Sequence, residues 1–146
     1  MKNLKDFVSD QELYYTTTGT IVREAVAYMC EKDIGAVCVL DGDRLVGMFS
    51  ERDLMTRVVN KDLDPQKVKV GEVMTTEITV AEGNESIQVA LERMRKFHCR
   101  HMPVIEDKKL IGVVSLRKLL LHDVTAKEEE IKLLDAYITY APVRME

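Results

Sequence analysis

The sequence predicts an α+β fold assembled from two copies of one small unit, and three observations carry that expectation. Shifting the 146-residue chain by 65 positions superposes its halves without a gap. Each half shows the same succession of apolar periods, helical then strand-like. Charges of both signs are scattered along the chain rather than blocked, as in a folded globular protein. Under the shift Ala25 falls on Ala90, Met29 on Met94, Val39 on Val104, Leu45 on Leu110, Gly47 on Gly112, Ser50 on Ser115, Arg52 on Arg117 and Leu54 on Leu119. A glycine, a serine and an arginine kept together in register mark a true repeat.

Each half opens on a short extended segment, Leu13 to Thr16 and Glu77 to Val80. A helix follows, because Val22, Ala25, Val26 and Met29 recur at spacings of three and four, and Ile87, Ala90, Leu91 and Met94 repeat that stripe. Two apolar strands come next, Val37 to Leu40 with Leu45 to Phe49, and Met102 to Ile105 with Leu110 to Val114. Asp41 to Asp43 and Glu106 to Lys109 make the hairpin turns. A second helix closes each half, from Ser50 to Val59 and from Ser115 to about Val124. The unit therefore reads strand, helix, strand, strand, helix.

A unit of about 60 residues buries little apolar surface alone. The two units are therefore expected to pack pseudo-symmetrically, sheet against sheet, with clefts where they meet. The joint runs from Asn60 to Gly71, where Asp64, Pro65 and Gln66 break the helical pattern. This divides the chain into a first unit over residues 7–65, a second over 71–126 and an extension over 127–146. Within the extension, Ile131, Leu134 and Ile138 form one stripe of a helix predicted from Ala126 to Ile138.

A formal net charge of −4 argues against a nucleic-acid partner, which needs clustered Lys and Arg. No apolar run approaches the roughly 20 residues that cross a bilayer, and Met1 to Asp10 carry no leader pattern, so a cytoplasmic protein is expected. Cys30, Cys38 and Cys99 are odd in number and apolar in surroundings, which fits packing in a reducing compartment. His98, Cys99 and His101 lack a second cluster to complete a zinc site, and no metal is expected. The eight methionines suit core packing, and His122 suits a helix end. No nucleophile elbow, Walker loop or GxGxxG turn is present, so no catalytic residue is assigned.

The most informative segment is Gly47 to Asp53, where a strand runs directly into a helix. Unpaired N–H groups at a helix start attract anions, Ser50 adds a hydroxyl and Arg52 a cation. Asp53 offers a carboxylate able to accept from both hydroxyls of a ribose. A plainer reading stands beside this one: Ser50 is a favourable N-cap, and an acid at the third helical position complements the helix dipole.

The run Gly47-Met48-Phe49-Ser50-Glu51-Arg52-Asp53, with Arg100-His101-Met102-Pro103-Val104 and then Gly112-Val113-Val114-Ser115, resembles a tandem CBS domain pair, or Bateman module. The resemblance covers nearly the whole chain except the first few residues and the last twenty. It implies a regulatory module that binds an adenine nucleotide between its halves. Ser50, Arg52 and Asp53 would face the ribose and phosphate, Thr76 and Ile78 the adenine, and Arg100, His101 and Arg117 the phosphate, with Met102 and Pro103 also among the nucleotide-binding residues. From the residues alone, Arg100 reads as a solvated surface charge and His101 as a strand-end residue satisfied locally. Lys118 stands where the second half would carry its own ribose acceptor, so one site per chain is expected. AMP is the expected ligand because one phosphate needs few cations; ADP, ATP, NAD and S-adenosylmethionine share its adenine and ribose.

The resemblance also implies a homodimer and a regulated enzyme or transporter acting in trans. Leu54, Val58, Leu119, Leu120, Ile131 and Leu134 are expected to form apolar stripes left over for the dimer. The alternative is a structural homodimerisation module that binds no nucleotide.

Overall fold

A computed structural model describes residues 3–122 together with Leu134. Helix α1 (Leu4–Val8) precedes β1 (Tyr15–Thr17), α2 (Val22–Lys32), β2 (Ala36–Asp41) and β3 (Arg44–Ser50). A single turn, α3 (Glu51–Asp53), then continues as a π-helical stretch (Leu54–Val59). After the joint come α4 (Val70–Val73), β4 (Ala81–Glu82), α5 (Ile87–Phe97), β5 (His101–Glu106), β6 (Lys109–Ser115) and α6 (Leu116–His122). The 65-residue shift carries α2 onto α5, β2 onto β5 and β3 onto β6 end to end. It also carries the left-handed residue that stops α2, Asp33 at φ 55°, onto His98 at φ 55°, which stops α5.

The strands form one sheet in the order β1-β2-β3-β6-β5-β4. In each half the outer strand runs parallel to its neighbour and the next pair is an antiparallel hairpin, irregular at Val39/Leu40 and again at Val104/Ile105. Among the described residues the halves join in the sheet where Arg44 pairs with Lys109, backed by a Leu45 N–H donating to the Lys108 carbonyl at 3.3 Å and an ion pair from Lys109 to Asp43 at 3.2 Å. Cys38, Leu40 and Leu110, with Leu13, Leu45, Met48 and Val113 against them, make a small apolar cluster across this seam.

Each half also has its own core. In the first, Val22, Ala25 and Met29 of α2 pack on Val37, Val39 and Phe49 of the sheet and on Val58. In the second, Ala90, Leu91 and Met94 of α5 pack on Met102, Val104 and Val114, with Leu119 and Leu120 of α6. The short helices are exchanged: Leu4 and Val8 of α1 complete the second core, and Val70 and Val73 of α4 complete the first. Main-chain hydrogen bonds fix both crossings. The Leu4 N–H donates to the Glu85 carbonyl at 3.0 Å and the Lys5 N–H to Gly83 at 2.8 Å, while the Val70 N–H donates to Thr20 at 2.8 Å and the Val22 N–H to Val68 at 2.9 Å. Gly112 makes room for α1, since a Cβ there would lie 2.7 Å from one Val8 methyl.

Several expectations change. Helices α1 and α4 span too few residues for a periodic signal, and the sequence reading has neither. The second helix of the first half winds mostly as a π-helix. The extended segment expected at Glu77 to Val80 is irregular, and β4 follows it. The stripes expected to be left over for a dimer are used within the chain: Val58, Leu119 and Leu120 are buried in the cores and Leu54 packs against the first. Leu134 is helical and packs, half-buried, on the second core. Ile131 and the rest of the helix expected from Ala126 to Ile138 lie outside the described residues.

Candidate functional site

Ser50 ends β3 in an extended conformation (φ −125°, ψ 165°) and caps α3. Its Oγ accepts the Asp53 N–H at 3.1 Å, and the Asp53 carboxylate answers by accepting the Ser50 N–H and the Ser50 hydroxyl, each at 3.0 Å on Oδ2. This reciprocal box satisfies donors that a helix start otherwise leaves open. The other carboxylate oxygen, Oδ1, accepts the Thr75 hydroxyl at 2.9 Å and faces Arg57 Nε at 3.6 Å. Asp53 is 6% exposed, so these partners replace water around a charge that would be costly to bury alone.

The segment after α4 delivers Thr75. Its main chain pairs with Met48 of β3, the Met48 N–H donating to the Thr75 carbonyl at 2.9 Å and the Thr75 N–H to the Met48 carbonyl at 2.8 Å. Gly47 permits this approach, because a Cβ there would come within 2.7 Å of the Thr75 carbonyl oxygen. Arg57 adds a clamp, donating from Nη1 to the Met74 carbonyl at 2.9 Å. The chain downstream, including the exposed Thr76 and the half-buried Ile78, thus starts beside Asp53.

The remaining predicted residues gather at the start of α6. Arg100 is exposed just before β5, and its carbonyl accepts the Leu116 N–H at 2.8 Å. His101, also exposed, pairs across the sheet with Ser115, and Arg117 is exposed two residues on. Arg52 is exposed next to Asp53. Met102 and Pro103 are buried, and the Met102 side chain belongs to the second core, so it packs rather than facing a cleft. Among the described residues no hydrogen bond or ion pair joins the group around Asp53 to the group around Ser115. Thr75 and Arg57 escaped the sequence reading. Arg57 was signalled, since it stands four residues after Asp53, where helical side chains meet; Thr75 depends on a crossing that no local pattern announces.

Among the described residues no three His, Cys, Asp or Glu side chains gather as metal ligands. The His122 ring, expected to serve its helix end, packs edge-on against Phe7 of α1 with centroids 4.9 Å apart. Cys38 is buried in the seam and desolvation pushes its thiol up to about 12, which leaves it an inert packing group at neutral pH. Also among the described residues, no helix is long and apolar enough to cross a membrane.

Comparison with known proteins decides the family. The CBS domain pattern matches residues 4–60 and again 70–124. The chain belongs to the CBS domain family. The "CBS domain-containing protein CBSX3, mitochondrial" of Arabidopsis thaliana is 32% identical over 136 residues, which is 89% of this CBS pair and 66% of that protein. The solved structure of Hypoxic Response Protein I with two coordinated zinc ions is 31% identical, with a TM-score of 0.74 over 84% of this chain and 99% of the other. Hypoxic response protein 1 of Mycobacterium tuberculosis is 36% identical over 99 residues, 67% of this chain and 69% of that protein. CBSX2 in complex with AMP, at 23% identity, shares the fold with a TM-score of 0.72 over 86% of this chain and 98% of that one.

Proposed function

We propose that this CBS pair is a regulatory sensor that binds one adenine nucleotide, AMP foremost, and catalyses no reaction. The ribose rests on Asp53, the adenine against the segment of Thr76 and Ile78, and the phosphate toward Ser50, Arg52, Arg100, His101 and Arg117. The observation that carries this reading is the placement of Asp53: a carboxylate at the strand-to-helix turn, beside the segment that crosses between the halves. The AMP held by CBSX2, a protein of the same fold, supports the choice of ligand.

Micromolar affinity needs about 8 kcal/mol, and hydrogen bonds to charged groups contribute about 1.5–3 kcal/mol each. Two or three such bonds plus adenine burial reach that range. Calorimetric titration with AMP, ADP, ATP, NAD and S-adenosylmethionine tests the reading: one AMP per chain at micromolar Kd is expected. Absence of heat and of thermal stabilisation with all five at millimolar concentration sinks it.

A second reading rests on a different surface. Met55 and Val59, one turn apart on the π-helical stretch, are 61% and 62% exposed. An exposed apolar pair of this kind fits a self-complementary contact with a second copy of the chain, which makes the pair a homodimerisation module with or without nucleotide. Light scattering decides it. A mass of one chain at tens of micromolar rules the dimer out, whereas a dimer that Met55→Asp dissociates supports it.

A further inference from the structure

Hydrogen bonds already fill three of the acceptor directions of the Asp53 carboxylate, and the identity of the donors has a consequence for any ligand that uses it. A carboxylate offers about four acceptor directions. The two on Oδ2 are taken by the Ser50 N–H and hydroxyl, and the same serine oxygen accepts back from the Asp53 N–H, so that side is locked by the helix cap. Oδ1 is held differently. Arg57 Nε stands off at 3.6 Å, beyond hydrogen-bond range, and the short bond on this oxygen is the one from the Thr75 hydroxyl at 2.9 Å. A ribose diol arriving at Asp53 therefore meets one displaceable competitor.

We infer that the Thr75 hydroxyl is a built-in competitor for Asp53, an autoinhibitory latch that a bound nucleotide must open. The inference rests on the ribose reading of Asp53 given above. Opening the latch has a defined place to act. Thr75 is paired by its main chain to Met48, and the Met48 side chain packs in the apolar cluster that spans the two halves. Exchanging the Thr75 hydroxyl for a ribose hydroxyl thus frees one of the ties between the crossing segment and the first half at the point where the halves meet. Occupancy of the cleft would in this way reach the seam without a hinge or a moving domain.

Thr75→Val removes the hydroxyl and keeps the side-chain shape; Thr75→Ser keeps the hydroxyl. Calorimetry with AMP should find Thr75→Val binding about tenfold tighter than wild type, since the nucleotide no longer displaces a hydrogen bond to a charged group, and Thr75→Ser close to wild type. Without nucleotide, Thr75→Val should melt at a lower temperature than wild type, because Asp53 has lost a partner. Thr75→Ala is the second test should the valine variant fold poorly, and it should also tighten binding. Equal or weaker AMP binding by the hydroxyl-free variants overturns the latch and makes Thr75 a positioning residue. Silence of wild type and variants alike toward every adenine nucleotide overturns the nucleotide reading itself, and the latch with it.

Discussion

The two halves tie the crossing chain to the sheet at equivalent points with different chemistry. In the first half the main chain of Thr75 exchanges both hydrogen bonds with Met48. In the second, at Val113, the Gln11 side chain stands in for a peptide group: its Oε1 accepts the Val113 N–H at 2.9 Å and its Nε2 donates to the Val113 carbonyl at 2.8 Å. A primary amide carries the same donor and acceptor as a peptide bond, so the substitution costs the strand nothing in pairing. The helix starts differ as well. Ser50 and Asp53 close a reciprocal box, whereas Ser115 accepts the Lys118 N–H at 3.1 Å and the lysine side chain has no acceptor to return. The second half makes the same turn without a carboxylate. Both halves make the tie and the serine cap; the first alone adds a carboxylate to them, Asp53.

The largest expected effect tests the exchange of the short helices. Leu4 lies outside the second half in sequence yet is fully buried in its core. Leu4→Ala should cost about 2–5 kcal/mol in urea unfolding. Amide exchange should show protection lost in α5 and β6 before α2. Loss centred on α2, or no measurable loss, would break the exchange. A smaller effect sharpens the contrast at the helix starts. Asp53→Ala removes a cap and leaves Thr75 and Ser50 donors unpaired, so about 1–2 kcal/mol of stability should go along with nucleotide binding. Lys118→Ala, at the matching exposed position, should stay within about 0.5 kcal/mol and bind AMP as wild type does.

The smallest effect is a pH dependence confined to the second half. Hydrogen bonds from the Arg93 guanidinium, at 2.7 and 2.9 Å, hold the Glu85 carboxyl below its usual value. Thr20 and Tyr28 occupy the matching places in the first half, where no such pair can form. A carboxyl whose folded value is lowered adds stability above the unfolded value and loses it as pH falls through the folded one. Arg93→Met should therefore cost up to about 1 kcal/mol at pH 7 and progressively less below about pH 4, read as a shrinking gap in melting temperature from wild type.

The repeat makes most of this architecture legible in the sequence, because a gapless shift predicts element for element. The stripes of α2 and α5 and the hairpins β2–β3 and β5–β6 stand within a residue or two of where periodicity puts them. The site was legible as a set of residue types, Ser50 and Asp53 above all, because a strand running into a capped helix has a local signature. Its completion was not. Thr75 reaches Asp53 because α4, which opens the second half, docks back on the first, and that docking is a tertiary event with no local pattern. The cover over the expected leftover stripes is tertiary in the same way. Leu54, Val58, Leu119 and Leu120 find cover within the chain once α1 and α4 are exchanged and the second helix unwinds into a π-helix.

The exchange also sets a timetable for the newborn chain. The first core closes with Val73, so everything it needs has been made soon after the joint is translated. Leu4 and Val8 have no such luck, since the strand they pack on ends at Ser115. At about 5–20 residues per second on the ribosome, they wait on the order of ten seconds with their apolar side chains uncovered. During that interval the segment is open to chaperones and to wrong partners, and synthesis of β6 is the event that ends the exposure.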